Sequence, residues 1–161
     1  MVTKPKTIDE YMATLSSEKR ATLEKLRTAM PQMTISTDII VGFPGETEAD
    51  FQETLSLIEE AQFDWGFIFK YSPREGTPAA GLPCFSDDLI ERRHQECLAA
   101  MDVVALKKRA RLAGTKQEVL VEEGNFGRTR GNYRVVVSGN VRPGETVQVR
   151  ITDTSRPTLE G

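Results

Sequence analysis

Cysteine and histidine are scarce in this 161-residue chain: two cysteines, Cys84 and Cys97, and one histidine, His94. Twelve residues separate the thiols, with no CxxC spacing. A disulfide is open to them only in an oxidising compartment. His94 and Cys97 would share a helix face, but two ligands do not make a zinc site. Long apolar runs are lacking too: no window approaches 18 consecutive apolar residues, so no transmembrane span is expected. The opening MVTKPKTIDEY carries positive charge without the apolar run of a secretory signal. The expected compartment is therefore the cytoplasm, with both thiols reduced.

What is present centres on TISTDIIVGFPGETEAD, Thr34 to Asp50. Ile35, Ile39, Ile40, Val41 and Phe43 are stiff or β-branched side chains that suit a core strand. Their incomplete alternation predicts a strand covered on both faces, as in a parallel sheet flanked by helices. Gly42 and Gly45 bracket Pro44, which turns the chain at the carboxyl end of the strand. That spacing fits a ligand approach, since ligands sit above this end of open α/β sheets and barrels. It fits a plain tight turn equally well. Thr47 is an expected N-cap, with Asp50 three residues on as its capping acid.

Before this stretch, Thr7 with Glu10 has capping-box spacing for a short helix to about Leu15. Ser16 or Ser17 then caps Glu18 to Met30, with Leu23, Leu26 and Met30 on one stripe and Pro31 ending it. After it, Phe51, Leu55 and Ile58 keep a helical period, and Trp65 to Tyr71 reads as a second strand. Helix between strands without a hairpin signal predicts a βαβ crossover. The loop from Tyr71 to Pro83 is too rich in Pro and Gly to be helical, and falls at the ligand face if the strands are parallel. There Tyr71, Ser72, Arg74 and Thr77 stand beside Gly42 and Gly45. Arg74 suits a carboxylate or phosphate, or simply a charged loop tip balanced by Glu75. Ser86 opens a long helix to about Leu112, acidic at its start and basic at its end, and Gly114 stops it.

The tail changes character. Gln117–Glu122, Tyr133–Val137 and Thr146–Ile151 alternate between glycines, as the short strands of a small barrel or sandwich do. Residues 1–106 hold ten basic against eighteen acidic residues, whereas residues 107–161 hold eleven against six. A basic tail on an acidic body is where a polyanion would dock. Lys116, Arg128, Arg130, Arg134, Arg142 and Arg150 offer charge, and Phe126 and Tyr133 offer rings for stacking. A solvated β surface also accounts for the arginines.

Taken in order, STDIIVGFPGETEADFQETLSLIEEAQFD, FKYSPREGTPAAGLP, GRTRGNYRVVV and PGETVQVRIT resemble the final third of the radical S-adenosylmethionine methylthiotransferases, closest to the tRNA-modifying branch. The resemblance covers roughly residues 20–155. It implies an α/β fragment of a (β/α) radical-SAM barrel over residues 1–113, with a lead-in helix, and a small all-β, OB-like TRAM barrel over residues 114–161. By resemblance, Asp38, Ile40, Gly42 and Gly45 occupy the GxIxGxxE-like strand beside S-adenosylmethionine, with Asp38 where the pattern has glycine and Glu46 directly after Gly45. Tyr71, Ser72 and Arg74 lie near cofactor and substrate. Lys116, Phe126, Arg128, Thr129, Arg130, Tyr133 and Arg134 are the implied RNA-binding set. The implied partner is a tRNA anticodon stem-loop. The implied product is a methylthio group on C2 of an isopentenyl- or threonylcarbamoyl-adenosine, and a neighbouring branch modifies a ribosomal protein.

One departure weighs against autonomous catalysis. Relatives carry two [4Fe-4S] clusters, one on a CxxxCxxC motif, and this chain has no such motif; Cys84 and Cys97 match none of the cluster cysteines. No metal or cofactor is expected on this chain alone, and no catalytic residue is assigned. It reads as the C-terminal portion of such an enzyme, retaining RNA binding. The alternatives are a subunit that completes an active enzyme with another chain, a relative of the ribosomal-protein methylthiotransferases, and a non-catalytic interaction module. Two strands without the rest of a barrel also predict an open aromatic sheet edge at WGFIFKY, suited to self-association or to a partner carrying the missing domains. Residues 1–112 are expected to be marginal alone, and residues 114–155 to fold independently.

Overall fold

The computed structural model describes residues 21, 22 and 24–161. The chain divides into two compact units, Met1–Met33 and Thr34–Gly161. In the first unit, α1 is helical at residues 21, 22 and 24–29. It ends where Met30 N donates to Leu26 O at 2.8 Å, one residue before Pro31, as proline's restriction on its predecessor requires. The expected caps at Thr7, Ser16 and Ser17, and the stripe residue Leu23, lie outside the described residues.

The second unit opens with the predicted βαβ crossover: β1 (Ser36–Val41), α2 (Glu48–Ala61) and β2 (Trp65–Lys70). The strands are parallel and in register from Ser36↔Trp65 to Val41↔Lys70. Thr47 caps α2 with a complete capping box: Asp50 N donates to Thr47 Oγ1 at 3.1 Å and Thr47 N donates to Asp50 Oδ2 at 2.8 Å. These bonds to Thr47, first its side chain and then its backbone, hold the Asp50 carboxyl below its ordinary range. The loop after β2 carries one 3-10 turn, Pro78–Gly81, where an unbroken loop was expected. Proline at a first turn costs no hydrogen bond, so Pro78 permits it. Helix α3 (Asp87–Ala110) follows, with Ser86 accepting from Leu89 N, Asp87 and Asp88 in its first turn, and Lys107, Lys108 and Arg109 in its last.

The strand pair has one covered face, not two. Helix α3 packs on β2 and on α2, burying Val41, Phe51, Ile58, Ile68, Ile90 and Met101. On the other face Ile40, Phe67 and Phe69 are 50–59% exposed. The apolar run of β1 feeds both faces because Ile39 and Ile40 point opposite ways, and both helices sit on the same side. Both outer edges of the pair lack a strand neighbour among the described residues.

The tail forms a five-stranded sheet from β3 (Lys116–Glu123), β4 (Phe126–Thr129), β5 (Arg134–Val136), β6 (Thr146–Arg150) and β7 (Leu159–Glu160), in the order β6-β3-β4-β5-β7. All pairs are antiparallel except β5 with β7. Just beyond β6, Thr152 N donates to Glu160 O at 2.7 Å and Asp153 bridges Glu160. The chain leaving β6 thus meets β7 through this one bridge and curls the sheet into a half-barrel, with β6 and β7 as its edge strands. Val119, Val135, Val137, Val149, Ile151 and Leu159 fill the interior. Strands β4 and β7 stand where no alternating run was visible. β4 is FGRT, and its Gly127 is required because a Cβ there would lie 2.4 Å from Leu120 O.

Candidate nucleic-acid interface

Because β1 and β2 are parallel, the turn after β1 and the loop after β2 leave the same end of the pair. Gly42 takes φ +75°, and a Cβ there would lie 2.7 Å from Ile90 Cγ1, so the residue serves close packing by α3. Gly45 takes φ +90° and faces open space. The turn is latched by Glu46, whose Oε2 accepts from Gly42 N at 2.8 Å and from Arg93 NH1 at 2.6 Å. Arg93 is 2% exposed, also donates to Glu46 O and Glu48 Oε2, and lies over the Phe51 and Phe85 rings at 5.2 Å. Arg93 lies on one α3 stripe with Leu89 and Cys97. Its neighbours there, Leu89 and Cys97, were the signal that an arginine had been carried inward.

At this end Tyr71 sets its ring edge-on to Phe43 at 5.1 Å, and its buried hydroxyl has no partner among the described residues. Ser72 and Arg74 are exposed in the loop, where Arg74 O accepts from Thr77. Asp38 and Ile40 lie one strand turn back on the open face, beside Phe67 and Phe69. The structure thus brings Gly42, Gly45, Tyr71, Ser72 and Arg74 to one end, with Ile40 and Asp38 leading up to it.

The barrel residues gather elsewhere. Leu120, Arg128 and Arg134 pair across β3, β4 and β5 and project outward together. Arg134 covers the Phe126 ring at 4.5 Å. Arg128 is tied to Glu122 and to Asn132, while Arg130 reaches Glu118 with its side chain 84% exposed. Lys116 is outward on the same strand as Glu118. Thr129 is different: it is 5% exposed, and its hydroxyl accepts from Tyr133 N at 3.1 Å within the β4–β5 turn.

Tyr133 faces the α/β half. Its hydroxyl donates to Asp64 Oδ1 at 2.6 Å, and its ring stands edge-on to Trp65 at 5.5 Å. Asp64, 5% exposed, also accepts from Ile35 N at 2.8 Å and lies 3.5 Å from Lys108 Nζ. Burial, then the hydrogen bond to Asp64 and its charge, push the Tyr133 phenol above its ordinary value. Sequence reasoning missed Asp64, because only the fold brings Ile35, Lys108 and Tyr133 to it. The joint sits at the amino end of β2 and the glycine turn at the carboxyl end of β1. At about 3.3 Å per residue, the seven steps from Asp64 to Tyr71 separate the two ends by roughly 23 Å.

The thiols do not fit an iron-sulfur cluster. Cys84 is exposed and Cys97 buried, with its thiol pushed up to about 11 by burial and by Glu46 and Glu96. His94 Nε2 is occupied by Ile68 O at 3.0 Å. Among the described residues no three His, Cys, Asp or Glu side chains group to hold a metal ion, and no helix is long and apolar enough to cross a membrane.

Residues 110–161 match the TRAM domain family. Over 148 residues the chain is 44% identical to the tRNA-2-methylthio-N(6)-dimethylallyladenosine synthase of Methylacidiphilum infernorum, covering 86% of this chain and 32% of that protein. It is 41% identical to synthase 1 of Mycobacterium marinum (81% and 28% covered) and 43% identical to the Corynebacterium urealyticum synthase (84% and 27% covered). The chain therefore spans about a third or less of the curated relatives it matches. Over most of its length it corresponds to the C-terminal, TRAM-bearing portion of the tRNA-modifying methylthiotransferases.

Proposed function

We propose that this chain is the RNA-holding portion of a tRNA methylthiotransferase, with residues 1–113 as a barrel segment and residues 114–161 as the RNA-binding barrel. The carrying observation is the outward face of β3, β4 and β5, where Lys116, Phe126, Arg128, Arg130 and Arg134 combine charge for phosphates with a ring for stacking. The names of the relatives supply the substrate class, a tRNA carrying a dimethylallyladenosine, and the resemblance in sequence supplies the anticodon stem-loop as its location. Thr129 and Tyr133 shape the β4–β5 turn that presents these side chains, and the cytoplasm is where such an RNA would be met.

The glycine turn with Tyr71, Ser72 and Arg74 is the proposed cofactor end. S-adenosylmethionine and the iron-sulfur clusters supply the radical and the sulfur chemistry in the proposed parent enzyme. This chain's two thiols do not suit a cluster, so its own part is to bind and orient RNA. The test is titration of an anticodon stem-loop RNA at several salt concentrations. Binding should weaken with salt, and Arg130→Ala should reduce the salt slope by about one. Absent or salt-independent binding refutes the reading.

The open face of Ile40, Phe67 and Phe69 favours a second reading, in which another chain covers it and completes an active enzyme. A co-purifying iron-sulfur protein supports that reading; a lone chain free of iron and sulfide opposes it.

A further inference from the structure

We infer that the cleft at the joint between β2, α3 and the barrel seats one unstacked RNA base. This rests on the RNA reading above and adds a site to it. The cleft has a volume of about 290 Å³ and is lined by Trp65, Phe67, Arg109, Arg128, Tyr133 and Arg134. That volume lies at the lower edge of small-ligand pockets, so it admits a single planar group and excludes a duplex.

The lining is the combination that single-stranded RNA requires: rings for a base and guanidinium groups for its phosphate. Phe67 is 59% exposed, an expensive arrangement for a phenylalanine unless something flat covers it. Trp65 and Tyr133 hold each other edge-on, and Tyr133 is fixed by Asp64, so this wall is rigid before any ligand arrives. Arg109, Arg128 and Arg134 outnumber the two carboxylates that also line the cleft, Asp64 and Asp102. Among the described residues Arg134 and Arg109 make no ion pair with a carboxylate; Arg134 rests on Phe126, and Arg109 donates its Nε to Thr154 O. The cleft is continuous with the barrel face through Arg128 and Arg134. A strand held on that face by its phosphates would therefore meet the cleft with its next unpaired base.

The experiment uses the full chain with two RNAs: a hairpin carrying one 2-aminopurine, moved in turn to each loop position, and a blunt duplex of the same stem. The wild type should bind the hairpin more tightly and quench 2-aminopurine at one loop position. Phe67→Leu, which keeps apolar bulk but removes the ring, should weaken hairpin binding at least about five-fold and abolish the quench, with duplex binding unchanged. Phe67→Tyr should preserve both. Val103→Ala, exposed on α3 and outside the cleft, should resemble the wild type. Equal binding of hairpin and duplex, or equal losses from Phe67→Leu and Val103→Ala, overturns the cleft assignment. So does a Phe67→Leu protein that binds like the wild type while Arg130→Ala still weakens binding; that outcome leaves the barrel-face reading standing. A wild type that binds neither RNA overturns both.

Discussion

Replacing Tyr133 by phenylalanine removes one oxygen and little else. The ring stays against Trp65, but the 2.6 Å bond to Asp64 is lost. Asp64 is almost fully buried and then keeps only Ile35 N at 2.8 Å and the more distant Lys108 ammonium. A hydrogen bond to a charged group contributes about 1.5–3 kcal/mol, and Lys108 offsets part of its loss, so a cost of about 1.5 kcal/mol is expected. With a urea dependence of about 1–3 kcal/mol per molar, the midpoint should fall by roughly 0.7 M. Trp65, the sole tryptophan, sits at the joint and reports the transition by fluorescence. The sign with pH is also fixed. Because the folded phenol is pushed above its unfolded value near 10, its contribution is whole below that value and fades as pH climbs toward the raised one. The gap between wild type and Tyr133→Phe should therefore narrow above about pH 10. A midpoint unchanged by the substitution, or a gap constant into alkali, would refute the Asp64 joint as the coupling between the two halves.

Arg93→Met should be destabilising, by up to about 3 kcal/mol, because it strands the partly buried Glu46 carboxylate without its cation. Thermal unfolding checks this, and adding Glu46→Gln should recover part of the loss. A thiol reagent at neutral pH should modify Cys84 rapidly and leave Cys97 silent until the chain unfolds, since Cys97 is buried and its thiol is pushed up to about 11. Two fast thiols in the native chain would contradict that burial.

The parts of this fold that rest on local chemistry were legible in the sequence. Thr47 and Asp50 announced the start of α2, Ser86 that of α3, and the apolar runs around Ile39 and Phe67 gave a parallel βαβ pair, while α3 stops at Ala110 with Arg111 as its cap, short of the expected Gly114. What stayed hidden depends on neighbours remote in the chain. A two-residue alternation showed nothing at FGRT, because β4 is defined by what flanks it: Gly127 lies against Leu120, and Arg128 stands between Leu120 and Arg134. β7 has only two residues and exists because Leu159 fills the barrel interior. The open face was misread for the same reason, since an apolar residue in a strand declares that it can be covered, not that it is. Among the candidate residues, the glycine turn and the loop after β2 were brought together as their parallel strands required. Asp64 and Arg93 escaped notice because a buried charge is recognisable only with its partners in place.

The placement of the two ends constrains how the proposed function can work. The barrel is fixed by Asp64 at the amino end of β2, whereas Gly45, Tyr71 and Arg74 stand at the carboxyl ends of the strands, roughly 23 Å away along the sheet. An RNA held on the barrel by its phosphates therefore reaches the cofactor end only by extending across the open face, past Phe67, Phe69 and Ile40. Contacts on the barrel set how tightly and in what register the RNA is held, and contacts at the glycine turn act on whatever arrives there. The rigidity of the Asp64 joint is what makes the distance between them a fixed length, so loosening Tyr133 should blur the register of bound RNA before it lowers the affinity of the arginine face.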